Sequence, residues 1–99
     1  MEIKIIGNQE LSVSGIIKTI DDSMALREAV QKLHDGGASA ITLRIEESFA
    51  LPSAVIGYLM KLANRDKVRL TLLAGDPRLC ELLDELQLTA TFGARCTGK

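Results

Sequence analysis

The side chains able to do chemistry are few in this chain of 99 residues, and they are scattered. His34 is its one histidine, and Cys80 and Cys96 are its two cysteines. A Ser-His-Asp or Cys-His arrangement would have to recruit His34 as its base. His34 stands beside Asp35 and Gly36, where a helix ends and an imidazole ordinarily meets the last free carbonyls. The two cysteines form neither a CxxC pair nor a cluster with metal-ligand spacing, so they read as free thiols. Cys80 is then a small packing residue at the border of the stripe made by Leu79, Leu82, Leu83 and Leu86, and Cys96 is exposed. The acidic pairs Asp21-Asp22, Glu46-Glu47 and Asp84-Glu85 put neighbouring carboxylates on different sides of their elements, whereas glycoside hydrolysis needs them convergent. Neither a G-x-G-x-x-G nor a P-loop pattern occurs. The expectation is a protein that is not an enzyme and holds no metal or cofactor.

One segment carries more. After Pro52, apolar residues recur at helical spacing, and Val55, Ile56, Leu59, Leu62 and Ala63 define a core stripe. The opposite face carries Ser53, Gly57, Lys61 and Asn64, with Met60 at its edge. Glycine inside a helix costs about 1 kcal/mol relative to alanine, and an outward Gly57 is either tolerated drift at that cost or a place where another protein's backbone approaches. Ser53 falls in the first turn, where free N–H groups and the positive end of the helix dipole suit a phosphate; a solvated or capping serine is the plainer alternative.

The elements that must position these residues alternate between apolar periods of 2 and 3.6, which makes the fold α/β. Glu2 to Ile6 and Leu11 to Ile17 read as two strands joined by a short turn, an antiparallel hairpin. Asp21-Asp22-Ser23 supplies capping groups for a helix that ends at Gly36-Gly37. A strand over Ala40 to Glu46, the helix from Pro52 to about Arg65, and a strand through Val68, Leu70 and Leu72 follow. Asp76-Pro77 then opens a helix that reaches Leu86. Thr89 to Phe92 is a candidate edge strand, and 94–99 reads as a frayed end. Both central strands alternate apolar and polar residues, so helices pack mainly on one face of the sheet and the other face is wet.

Charge and length bound the partners. Twelve basic residues against 13 acidic ones give a net charge of −1 with no basic cluster, and only three residues are aromatic, which disfavours nucleic acid. The longest nearly apolar run, Ser53 to Met60, is far short of the ~18 residues of a membrane span, and Met1-Glu2-Ile3-Lys4 does not open like a signal peptide. The expectation is one domain over residues 1–99, cytoplasmic and not inserted in a membrane.

The run from Ala40 to Met60, then Val68 to Leu88 and Thr91-Phe92, resembles the STAS domain, the family that includes bacterial anti-sigma-factor antagonists. The resemblance extends from about Leu11 to Phe92. In such antagonists an apolar-Asp-Ser-small-x-x-Gly segment opens a helix and its serine is phosphorylated. Here Leu51, Ser53, Ala54 and Gly57 match that segment, and Pro52 stands where the family has Asp. Ser14-Gly15-Ile16-Ile17-Lys18 is similar to an earlier family segment, with Ile16 and Lys18 in place of its two acidic residues. The resemblance implies a mixed sheet of four or five strands with helices on one face. It also implies a partner-switching role in signal transduction and transcription regulation. The unmodified chain would bind an anti-sigma factor or serine kinase, and phosphorylation of Ser53, reversible by a phosphatase, would release it. The binding surface would comprise Leu51, Pro52, Ala54, Gly57, Met60, Lys61 and Asn64. The alternative is a non-phosphorylated structural subunit of a lipid-transport ATPase complex.

Overall fold

The computed structural model describes residues 1–97. Its elements are β1 (Glu2–Ile6), β2 (Glu10–Ser14), α1 (Ile20–Asp35), β3 (Ala40–Ile45), α2 (Ser53–Asn64), β4 (Arg69–Ala74), α3 (Pro77–Glu85) and β5 (Ala94–Cys96). They form one five-stranded sheet in the order β1-β2-β3-β4-β5. β1 pairs antiparallel with β2, and β2 to β5 run parallel to one another.

Strand order decides where the helices go. Each parallel connection steps one place in the same direction along the sheet, and right-handed crossovers taken in one direction put every helix on one side. The burial pattern agrees. Leu11, Val13, Ile41, Leu43, Ile45, Leu70, Leu72 and Ala74 are buried on the helix side. On the other side Ser12, Thr42, Arg44, Thr71 and Leu73 remain half-exposed, and Arg44 reaches Glu10 at 3.3 Å. The fold is therefore the α/β arrangement expected, a mixed sheet with one helical and one wet face. Leu26, Val30 and Leu33 of α1, Val55, Leu59 and Leu62 of α2, and Leu79 and Leu83 of α3 close the core together with Phe92.

Several details differ from the sequence expectation. The N-cap of α1 is Thr19, just ahead of the expected group, and Asp22 of that group completes the cap: Thr19 accepts from the Asp22 N–H at 3.0 Å, and the Asp22 carboxylate accepts from the Thr19 N–H at 3.2 Å. This capping box satisfies donors at both ends of the first turn. Ser23 is instead buried, its hydroxyl donating to the Thr19 carbonyl at 3.2 Å. β2 stops at Ser14, because Gly15 takes a φ of +83° that ends the extended run. Thr89 to Phe92 is a turn rather than a strand. The fifth strand is Ala94–Cys96, placed there by Gly93, whose φ is +54° and whose missing Cβ lets the chain pass against the Leu70 carbonyl. Half of the stretch expected to fray, 94–96, is thus part of the sheet, and its last two positions, 98 and 99, lie outside the described residues.

The cysteines also differ. Cys80 and Cys96 are joined in a disulfide, not free. α3 packs beside β5, which brings the two Cα atoms to 6.1 Å, within the range a disulfide spans. The bond ties the edge strand to the helix that precedes it.

Candidate functional site

The loops at the C-terminal ends of β2, β3 and β4 lie side by side, and they set the start of α2. Glu46 Cα would meet a Cβ on Gly75 at 2.9 Å, so the β3 and β4 ends approach as closely as they do only because residue 75 is glycine. Ser48, fully buried, accepts from the Ile17 N–H at 3.2 Å and donates to the Ala50 carbonyl at 2.7 Å. The Gly15 N–H donates to Glu47 Oε1 at 3.1 Å. Two consecutive side chains of the β3–α2 loop thus hold the β2–α1 loop. Glu47 accepts this bond while it remains an exposed surface charge.

From this anchor the chain turns into α2 at Pro52, whose φ of −59° suits a helix entry. Pro52 offers no side-chain cap, so the N–H groups of the first turn have no side-chain acceptor there. Ser53 and Ala54 are exposed at that end, and Pro52 is half-buried. Gly57 is exposed, with open space where a Cβ would stand, and Met60, Lys61 and Asn64 continue the same exposed face. The face read from the spacing is present, with two corrections. Leu51 is 6% exposed and packs into the core, where it anchors the loop instead of meeting a partner. Tyr58 is buried among the core residues, while Ile56 and Ala63 are only partly so.

The neighbouring α1 contributes residues that the helical period did not single out. A groove of about 280 Å³ runs between the two helix starts, lined by Lys18, Ile20, Met24, Arg27, Pro52 and Ser53 among others. Ile20 is 79% exposed and Met24 54% exposed beside it. Exposed apolar side chains that sit together along a groove, rather than singly, suit contact with another molecule. Their signal lay in the sequence as two apolar residues on the polar side of α1, away from the stripe of Leu26, Val30 and Leu33. Phe49 adds a third exposed apolar residue on the β3–α2 loop, held by Arg78 stacked over its ring at 4.7 Å. Arg78 is itself fixed to Asp76 at 2.7 Å.

Two carboxyl groups in this region ionise more readily than usual. The Asp22 carboxyl is held below the ordinary aspartate range by the Lys18 and then the Thr19 backbone N–H groups. Asp76 is held down by the Arg78 side chain and by the Arg78 N–H. Among the described residues no group of three or more His, Cys, Asp or Glu side chains comes together to hold a metal, and no helix is long and apolar enough to cross a membrane. His34 lies at the far end of α1 from the groove, half-buried, its Nδ1 without a hydrogen-bond partner.

No family model, curated protein or solved structure matches the chain.

Proposed function

We propose that the protein is a binding module whose partner docks on the face formed by the starts of α1 and α2, and that phosphorylation of Ser53 governs the contact. The observation that carries this reading is the meeting, on one surface, of an exposed serine at an uncapped helix start with two exposed apolar side chains, Ile20 and Met24. A partner that covers these residues also covers Ser53. Gly57, one turn on, leaves space for close approach of a partner backbone.

The chemistry of a switch follows from charge. A phosphate adds about −1.5 to −2 charges, and within the free chain it would sit by a helix N-terminus with Lys18 and Arg27 lining the same groove. The free domain therefore tolerates the group. An apolar interface does not, because the phosphate must be desolvated there. This is the behaviour that the STAS resemblance implies, with an anti-sigma factor or serine kinase as partner and a cytoplasmic setting.

Pro52 supports a second reading. It occupies the position of the acidic residue that the resemblance would place before the phosphoacceptor, and a domain of this kind that no kinase recognises would serve as a constitutive subunit, as in a lipid-transport ATPase complex. The readings separate on one experiment: capture of binding proteins on the immobilised chain, incubation of the captured serine kinase with the chain and ATP, and mapping of phosphate by mass spectrometry. Phosphate on Ser53 supports the switch. Stable capture of an ATPase subunit that ignores Ser53→Asp supports the constitutive role.

A further inference from the structure

The sheet has two edges, and they are treated differently. β5 is three residues long and is held to α3 by the Cys80–Cys96 bond. β1 is five residues long, contains no proline, and pairs with β2 without a bulge from Glu2 to Ile6. Among the described residues, none of the backbone hydrogen bonds made outside the regular elements involves β1, so its outer N–H and C=O groups face away from the sheet unpaired. Ile5 is 45% exposed and Met1 40% exposed along it. An open edge of this kind is a template for another strand.

The residues on β1 say which strand. Ile3 and Ile5 lie on the helix side, opposite Val13 and Leu11, while Glu2 and Lys4 lie on the wet side, opposite Ser14 and Ser12. A second copy that meets this edge across a two-fold axis must run antiparallel to it. For the two sheets to continue as one, residues on the same side must face each other across the axis. The candidate registers are those centred on each residue of β1, and the two centred on Ile5 or Ile6 run past Gly7 and set no opposite charges against each other. Setting Glu2 against Glu2 of the copy, or Lys4 against Lys4, places like charges directly opposite. Setting Ile3 against Ile3 puts Glu2 against Lys4 twice, and it also puts exposed Met1 against exposed Ile5 twice. Directly opposed side chains of opposite charge stabilise a pair of strands and like charges oppose it.

We infer that the occupant of the β1 edge is a second copy of this chain, paired antiparallel about Ile3, so that two sheets join into one of ten strands with all helices on one side. The two-residue spacing of Glu2 and Lys4 makes the edge complementary to itself, which a foreign strand would not require. The edge is separate from the Ser53 groove, so the inference stands independently of the proposed switch.

Sedimentation velocity over a wide range of concentration tests it, on the untagged chain and on Glu2→Lys, Lys4→Glu and the double exchange. All three changes lie at exposed positions, and circular dichroism confirms that each variant is folded. The expected result is a reversible dimer of the 10.7 kDa chain. Each single reversal turns two attractive pairs into two repulsive ones and weakens self-association about tenfold. The double exchange restores the pairs and the affinity. A chain that stays monomeric throughout overturns the inference. So does a dimer that ignores the single reversals, or one that the double exchange fails to restore.

Discussion

The Tyr58 hydroxyl donates to Gln31 Oε1 at 2.7 Å, tying α2 to α1 one residue after the exposed Gly57. This bond, with Arg27 stacked over the Tyr58 ring at 5.3 Å, fixes the rotation of α2 about its own axis. The face that carries Ser53, Gly57 and Lys61 is outward because Val55, Leu59 and Leu62 are buried on the opposite side, and the Tyr58 contacts add to that orientation. Tyr58→Phe keeps the packing and loses the bond, and it should cost about 1 kcal/mol in urea denaturation while the far-ultraviolet spectrum is unchanged. An equal loss of stability in Gln31→Leu, with no further loss in the double variant, checks that the two residues act as a pair.

Gly57 should separate stability from binding. An arginine there has open space and a better helix propensity, so Gly57→Arg should hold or raise stability by up to about 1 kcal/mol. The same side chain should wedge a partner away from the α2 face. A folded Gly57→Arg chain that binds its partner with unchanged affinity, measured by calorimetry, would place the interface elsewhere.

Gly75 should behave oppositely, although both are glycines near the same site. A Cβ at position 75 runs into the backbone of Glu46, which cannot move without parting β3 from β4. Gly75→Ala should therefore destabilise by about 1–3 kcal/mol or more, read as a lowered denaturation midpoint.

The pH dependence follows from Asp22 and Asp76, whose folded-state ionisation lies below the ordinary aspartate value of about 3.9. A carboxyl depressed in this way contributes stability that is present above the unfolded value and is lost as pH falls through the folded one. Asp22→Ala should lower the melting temperature at neutral pH, and the gap from the native chain should close in acid. Melting curves over a pH series would show whether the gap closes or stays constant; a constant gap would mean that the charge of Asp22 does not matter.

Reduction of Cys80–Cys96 gives a further test of the edge. The bond closes a short loop, for which chain entropy gives about 3 kcal/mol. Reductant should lower the denaturation midpoint accordingly. Hydrogen exchange should rise first in β5, the strand that the bond holds.

The main architecture was legible because local signals agreed with one another. Pro52 and Asp76-Pro77 mark helix starts that the structure keeps, and the alternation of Ile41, Leu43 and Ile45 with Thr42 and Arg44 shows a sheet wet on one side. What was not legible depended on contacts between distant segments. Nothing in a separation of 16 residues announces that Cys80 and Cys96 meet; that follows only once α3 lies beside β5. Leu51 matched a binding motif, but the loop held by Ser48 turns it into the core. Tyr58 stands three residues after Val55 and four before Leu62, a spacing that marks the core side, and its polar hydroxyl obscured the signal. Ile20 and Met24 lie off the apolar stripe of α1, so helical periodicity does not single them out.

Coverage of Ser53 by a partner, and its loss on phosphorylation, is tested most directly by measuring the affinity of the captured kinase for the chain before and after that kinase phosphorylates it, with the modified residue mapped by mass spectrometry. The expected result is a single phosphate on Ser53 and binding weakened about a hundredfold, equivalent to about 2.8 kcal/mol of lost interaction. A chain left unmodified, or one that carries phosphate on Ser53 and binds as tightly as before, would contradict it.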